Sequence, residues 1–416
     1  MVTATRRVVI TGIGAITPIG SGAAGLYAGL RAGASAVSRI TRFDASGYGS
    51  QIAAEVRDFD PAQFMDGKRV RRLDRFAQVS VAAGRQAADD AGLHLEDEDR
   101  DRIGCFVGAA LGGGAFAEEQ HEIFLREGIR RIKPTLALAV FSGAASCNVA
   151  IELGLTGPSS ANSDSCSSGA IAIGSAFREI REGHADVMFA GGIECPLAPL
   201  IFGAFDLIHA MSTRNDTPQA ACRPFDRGRD GFVMAEGGAI LVLEELGRAV
   251  RRNAPIYGEV LGYGASNDAY HMTAPLPSGA QAARAMRLAM AEAGLEPEQV
   301  GYVNAHASST PLNDSTETRA IKSALGEHAY QVPVSGTKAM HGHALGATGA
   351  IEAAICMLAF RHDYLPPTVN LDDPDPDCDL DYIPLVGRDQ RVDYIVSNSF
   401  GFGGINATLI FGRYPT

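Results

Sequence analysis

Short β-branched runs alternate with alanine-rich amphipathic stretches along the whole chain, and that rhythm confines it to a layered α/β fold. Arg7–Thr11, Ile103–Val107, Asp186–Ala190, Ala239–Glu244, Tyr302–Ala305, Val332–Ser335, Tyr394–Asn398 and Thr408–Phe411 predict strands. Phe76–Ala91, Ser168–Glu182, Gln281–Ala293, Asp314–Leu325 and Gly349–Arg361 predict helices. The polar segment Arg251-Arg252-Asn253-Ala254-Pro255 reads as a crossover between an N-terminal half, residues 1–254, and a C-terminal half, residues 255–416. A faint internal echo points to two related lobes: Gly169-Ala170-Ile171-Ala172 opens one helix and Gly349-Ala350-Ile351-Glu352 opens another. No low-complexity linker separates them, so the halves are expected to pack as one unit.

Size and charge narrow the function. With 46% hydrophobic and 20% charged residues over 416 positions, the chain can bury a large core. A formal charge of -12 argues against general nucleic-acid binding. Seven cysteines without regular spacing read as reduced thiols of a cytoplasmic protein, not as a disulfide framework. Arg6-Arg7 before Val8-Val9-Ile10 has the look of a leader peptide, but the apolar run is short and β-branched and ends in Gly12-Ile13-Gly14. A first strand and its turn fit better. The uncharged stretch from Pro134 to Ile151 is broken by Pro134 and Gly143 and reads as an interface or pocket wall rather than a membrane span.

Cys166 carries the strongest chemical signal. It lies in Asn162-Ser163-Asp164-Ser165-Cys166-Ser167-Ser168-Gly169, where a polar turn meets a small-residue helix. Most cysteines are small apolar fillers, a reading that fits Cys105, Cys147, Cys195, Cys222, Cys356 and Cys378. A thiol that begins a helix has a reason to be reactive, because the unpaired N–H groups there favour thiolate. Two later segments each offer a histidine among small residues: Asn304-Ala305-His306-Ala307-Ser308-Ser309-Thr310 and Lys338-Ala339-Met340-His341-Gly342-His343-Ala344. A sulfur, two imidazoles and a lysine far apart in sequence suit a site assembled by folding around a covalent nucleophile. Lys338 is one of only four lysines and has apolar and glycine-rich flanks; a buried ammonium there needs a carboxylate, and Glu352 on the next helix is available. The last segment, Asn398-Ser399-Phe400-Gly401-Phe402-Gly403-Gly404, can offer backbone N–H donors to an anion while a phenyl ring closes a cavity.

Two alternatives fall away. Gly12-Ile13-Gly14 follows a strand, but Thr17 stands where a dinucleotide fingerprint needs its third glycine, and Pro18 interrupts a helix start. His341 and His343, two residues apart without a nearby cysteine or carboxylate, make a poor zinc site. No metal is expected.

These motifs, in this order, with Val8-Val9-Ile10-Thr11-Gly12, Arg223-Pro224-Phe225-Asp226 and Asp230-Gly231-Phe232-Val233, make the whole chain resemble the β-ketoacyl-ACP synthases, elongating enzymes of the thiolase-like superfamily. The resemblance implies two similar βαβαβαββ halves in a five-layer αβαβα core. It implies that Cys166 holds an acyl chain as a thioester, with the N–H groups of Cys166 and Phe402 as the oxyanion hole. It makes His306 and His343 the stabilisers of a malonyl enolate, and Lys338 with Glu352 the charged group that orients them. Thr310 is a supporting residue, and Phe402, flanked by Phe400, is a gate. No cofactor is implied, because the phosphopantetheine arm arrives on an acyl carrier protein. Lys68, Arg69, Arg71 and Arg72, with Arg130, Arg131, Lys133 and Arg214, are expected to dock that acidic carrier. Leu111, Thr135, Leu136 and Ala137 are expected to line the acyl pocket, the last three where housekeeping members carry paired aromatics. Ala307-Ser308 after His306, Ser165 and His341 also depart from the common pattern. The expectation is therefore a polyketide or polyene ketosynthase, as a homodimer or paired with a chain-length factor. A housekeeping 3-oxoacyl-ACP synthase II is the alternative, and a non-catalytic chain-length-factor-type subunit is disfavoured because it would lack the cysteine.

Overall fold

The computed structural model describes residues 6–415. Its first half runs β1 (Val8–Thr17), α1 (Arg75–Asp90), β2 (Ile103–Gly108), α2 (Gly114–Glu127), α3 (Ala144–Leu153), β3 (Ser159–Asn162), α4 (Ser168–Arg181), β4 (Val187–Glu194), α5 (Pro199–Leu207) and β5 (Gly237–Glu245). The second runs β6 (Gly258–Asn267), α6 (Ala280–Ala293), β7 (Tyr302–Asn304), α7 (Asn313–Leu325), β8 (Val334–Ser335), α8 (Thr348–His362), β9 (Tyr394–Gly401) and β10 (Ile405–Gly412). Setting aside α2, α5 and the shorter pieces, among them a Gly22–Ala32 helix after β1, each half is a βαβαβαββ unit.

The strand order makes the duplication plain. The path is β3-β2-β4-β5-β1-β6-β10-β9-β7-β8. Read outward from the centre, both halves place their first, fifth, fourth, second and third strands in turn. In each, the second strand is parallel to both the third and the fourth. In each, the fifth runs antiparallel to both the fourth and the first. The halves join where Val8–Ile10 of β1 meets Gly258–Val260 of β6.

Two-residue alternation along the strands sorts side chains into three apolar layers. On β5, Ala239, Leu241 and Leu243 face the central helices α4 and α8, while Ile240 and Val242 face the outer pair α1 and α3. On the far side, Val396 of β9 and Ile410 of β10 pack with α6 and α7. The layers are helix, sheet, helix, sheet, helix. Because both faces are covered, the strands read as continuous apolar runs rather than alternating ones. α8 is buried from Thr348 to Phe360. Full burial of Ile351, Ile355, Leu358 and Phe360 contributes about 1.5–3 kcal/mol each.

Glycines set the helix-to-sheet distance. A Cβ on Gly12 would lie 2.3 Å from the Ala87 carbonyl, and one on Gly14 1.8 Å from that of Ala83. Gly12-x-Gly14 therefore lets β1 seat directly on α1, which accounts for the pair without a dinucleotide. Gly262 and Gly264 of β6 do the same, 2.2 and 2.1 Å from the Ala289 and Ala285 carbonyls of α6. All eight predicted strands and five predicted helices exist, with shifted ends. The prediction lacked β3, β6, α2, α3, α5 and the Gly22–Ala32 helix; the glycines of β6 hide its strand pattern.

Candidate active site

Parallel strands place the functional groups at their carboxyl ends, facing the middle of the molecule. β3 leads into the Cys166 turn, β7 into the His306 loop and β8 into the Lys338 turn. Cys166, His306, His343, Thr310, Phe400 and Phe402 line one cavity of about 310 Å³. The His306 and His343 rings lie 5.3 Å apart, nearly perpendicular at 80°.

The cysteine turn, Ser165–Ser167, is a single 3-10 turn ahead of α4. Ser165 is left-handed at φ 55°, a strained conformation for a residue with a Cβ, which turns the next side chain out of the strand direction. Hydroxyls hold the turn. Ser168 donates to the Ser165 carbonyl (2.7 Å) and accepts the Asp164 N–H (2.8 Å). Ser167 donates to the carbonyls of Ile405 (2.7 Å) and Ser399 (3.0 Å), joining the turn to the β9–β10 hairpin. Gly401 lets that hairpin approach, since a Cβ there would lie 3.0 Å from the Cys166 nitrogen. A reactive helix-start thiol was the sequence expectation, but burial pushes the Cys166 thiol up. Its Ser165 hydroxyl neighbour, the Lys338 charge and the Phe402 N–H favour the thiolate and only partly offset this. The resting group is a thiol with anion-stabilising donors already in place.

Buried carboxylates hold the histidine loop. Glu317 on α7 accepts the N–H groups of His306 and Ala307, both at 2.8 Å. Asn398 also donates to it (3.2 Å). Asp314 accepts the Ser309 N–H (3.2 Å), and Arg229 donates to the carbonyls of Thr310 (3.1 Å) and Pro311 (3.0 Å). These bonds maintain left-handed Ala307 (φ 43°) and Ser309 (φ 66°). Thr310 and Ser308 share a hydroxyl hydrogen bond of 2.9 Å at the cavity wall. Burial pushes the Glu317 carboxyl up to about 7.

Lys338 is fully buried and does not line the cavity. Its ammonium donates to Glu352 (2.5 Å) and to the His306 carbonyl. Burial pushes the Glu352 carboxyl up despite the ammonium beside it. Burial also lowers His306 and His343 well below the ordinary histidine range, and the Lys338 charge adds to this. Both imidazoles are therefore neutral at physiological pH. Thr348 fixes His343 through Nδ1 at 2.9 Å. Nδ1 of His306 is buried without a partner.

The remaining predicted residues are spread more widely. Leu111 abuts the apolar cluster of Leu197, Phe202, Phe232 and Leu345 without reaching the cavity wall. Thr135, Leu136 and Ala137 lie at the start of a short helical turn outside the cavity of the single chain. Arg71, Arg72 and Lys133 line a second cleft together. Arg69 pairs with Glu152 (3.1 Å) and Arg131 with Glu127 (2.9 Å). Lys68 is exposed at a helix start, Arg130 is exposed, and Arg214 donates to the Gly228 carbonyl (2.5 Å). Sequence reasoning missed Glu317, Thr348, Phe205 and Phe232. Thr348 had a signal, because the helix echo pairs it with Ser168. Glu317 had one too: α7 turns an unusual number of polar residues, among them Asn313, Asp314, Thr316 and Thr318, toward the interior.

Known proteins share the sequence and the fold. A β-ketoacyl synthase N-terminal domain profile matches residues 5–249, and the C-terminal domain profile matches residues 257–372. The chain is 49% identical to a 3-oxoacyl-[acyl-carrier-protein] synthase 2 of Synechocystis over 98% of both chains. A Coxiella burnetii protein of the same name is 47% identical over 98% of this chain and 99% of its own. Among solved structures, the ishigamide ketosynthase/chain length factor aligns with a TM-score of 0.93 at 37% identity, covering 99% of this chain and 100% of its own. The relatives' names favour the housekeeping alternative over the polyketide expectation. The chain belongs to the β-ketoacyl synthase family of condensing acyltransferases.

Proposed function

We propose that this ketosynthase elongates acyl chains in fatty-acid synthesis as a 3-oxoacyl-acyl-carrier-protein synthase of type 2. The observation that carries the reading is one cavity in which a thiol, two neutral imidazoles and the Phe402 N–H converge.

Cys166 is the nucleophile. Its sulfur adds to the carbonyl of an incoming acyl thioester, and the carrier's thiol leaves with the proton. The N–H groups of Cys166 and Phe402 stabilise the oxyanion. A malonyl thioester then occupies the same cavity with its carbonyl toward His306 and His343. As neutral imidazoles they donate hydrogen bonds without first losing a proton. The bond to the carboxylate breaks, carbon dioxide departs, and the electron pair becomes an enolate held by the two rings. The enolate carbon attacks the acyl–sulfur carbonyl and expels the thiolate, leaving a β-ketoacyl thioester on the carrier. Lys338 acts through position: with Glu352 it holds the His306 backbone and supplies the positive field that keeps both rings unprotonated.

No cofactor takes part; the carrier's phosphopantetheine arm presents both thioesters. Arg71, Arg72 and Lys133, with Lys68, Arg69, Arg130 and Arg131 nearby in sequence, are the proposed carrier contacts. Exposed Leu138, Phe141 and Ile151, together with the edge strand β3, support dimerisation. Residues 1–254 and 255–416 are the proposed functional halves. A polyketide or polyene role is the second reading, favoured by the small Thr135-Leu136-Ala137 segment and by the likeness to the ishigamide system. Elongation assays with saturated and polyunsaturated acyl carriers of graded length decide between them. Preference for saturated long chains by the protein alone is expected. Activity only on polyene chains, or only with a second subunit, would overturn the housekeeping assignment.

A further inference from the structure

One aromatic contact in the cavity has no part in the chemistry above. The Phe402 ring lies against Phe205, centroids 6.4 Å apart and planes 23° from parallel. Phe402 is the large side chain of a loop able to change conformation. Gly403 and Gly404 behind it are left-handed at φ 80° and 73°, and glycine leaves that region at little cost. Backbone hydrogen bonds tether the loop beyond Phe402: the Gly403 N–H donates to Met272 (2.7 Å), and the Gly404 carbonyl accepts from Asp268 (2.8 Å). Among the described residues Phe402 has no backbone tether of that kind; its N–H faces the Cys166 sulfur, and its ring is held only by side-chain contact.

Phe205 is anchored. It sits on α5, whose first N–H groups, Leu200 and Ile201, donate to Glu118 at 2.6 and 3.1 Å. Asp206 in the last turn accepts the Gly49 and Ser50 N–H groups, each at 2.8 Å. The Phe205 ring is edge-on to Phe232 at 5.9 Å, and Phe232 is edge-on to His343 at 5.2 Å. A fixed ring, braced against the histidine wall, thus faces a ring on a glycine hinge.

We propose that Phe205 is a positioning residue that latches Phe402 over Cys166 until the cysteine is acylated. The inference rests on the ketosynthase reading. Its consequence is coupling: a latched Phe402 keeps malonyl thioester from the histidines while no acyl acceptor is present. Without the latch, the malonyl carbon–carboxylate bond breaks early, carbon dioxide leaves, and water supplies the proton that turns the enolate into an acetyl thioester. An offset-stacked pair of this kind biases the resting equilibrium by about two- to tenfold.

The test compares the full-length parent with Phe205→Ala, Phe205→Leu and Phe205→Tyr. Malonyl carrier is supplied alone and then with acyl carrier, and acetyl and β-ketoacyl products are counted by mass. Phe205→Ala and the volume-filling Phe205→Leu are expected to raise acetyl product from malonyl carrier alone by about two- to tenfold, while Phe205→Tyr keeps the parental ratio. A parallel fall of both products, or an unchanged ratio in the alanine and leucine variants, would overturn the latch. Failure of the underlying reading is separately visible, as a parent chain that takes no acyl group on Cys166, and it removes the latch with it.

Discussion

The two turns at the centre of the molecule are built alike and hold different groups. Ser165–Ser167 leads into α4 and Leu345–Ala347 into α8. Each opens on a left-handed residue that is not glycine, Ser165 at φ 55° and Leu345 at φ 41°. Each places a hydroxyl at the first helical position, Ser168 or Thr348, and continues Gly-Ala-Ile. The helices cross at those glycines. A Cβ on Gly169 would lie 3.0 Å from the Ala350 nitrogen, and one on Gly349 2.9 Å from that of Ala170. The second residue of the turn differs. It is Cys166 in the first half and Gly346 in the second, where a Cβ would lie 2.3 Å from the Ala110 nitrogen. The hydroxyls diverge as well, since Ser168 ties its own turn together while Thr348 aims His343. The repeated topology gives two equivalent seats. One seat holds the proposed nucleophile, and the other supports His343, which lines the same cavity.

That division of labour can be broken most decisively at the thiol. Cys166→Ala is expected to abolish the acyl-enzyme seen by intact mass and to lower condensation by about four orders of magnitude or more. His306→Ala and His343→Ala probe the other half. Each should still acquire the acyl group, while malonyl decarboxylation falls by about a hundred- to a thousandfold. If either histidine variant loses acylation first, the two halves do not divide the steps as described.

Lys338→Met tests the support beneath the histidines. It strands Glu352 in a fully buried site, and chemical denaturation should register a loss of about 3–5 kcal/mol. Adding Glu352→Gln should recover much of that loss without restoring decarboxylation. The helix crossing offers a finer comparison. Gly349→Ala, which meets both the Ala170 backbone and Ser399, should destabilise by about 1–3 kcal/mol, and Gly169→Ala by less.

The smallest expected effect is on pH dependence. His306 and His343 titrate well below the unfolded value of about 6.5, so the unfolded chain binds more protons as the solution becomes acidic. The stability they contribute is present above about pH 6.5 and is lost as pH falls below it. Between pH 7 and 5 the raised Glu194 and Glu317 carboxyls act in the opposite sense, so the measure is the difference: His306→Asn should lose less melting temperature over that range than the parent.

Much of this organisation was readable from residues alone. β-branched runs marked most strands, and Cys166, His306, Lys338 and His343 stood out because small residues surround each of them. Gly12-x-Gly14 recurs as Gly262-x-Gly264, and the two pairs, one on the first strand of each half, were a repeat signal that went unread. β6 stayed hidden for the same reason, since glycine has no side chain to show a strand's alternation. Glu317 was invisible for a different one: its partners are the backbone N–H groups of His306 and Ala307, which leave no mark on composition.

By itself the amino-acid order determined the layered class and singled out the proposed nucleophile and its partners, because periodicity and local residue chemistry are one-dimensional properties. Only the tertiary structure decided the state of those groups. Burial raised the Cys166 thiol above the level its place at a helix start suggested, and burial beside Lys338 kept both histidines neutral. Desolvation and field depend on what surrounds a group in three dimensions. For Cys166 those surroundings include Lys338 and Phe402, both more than a hundred residues away in sequence.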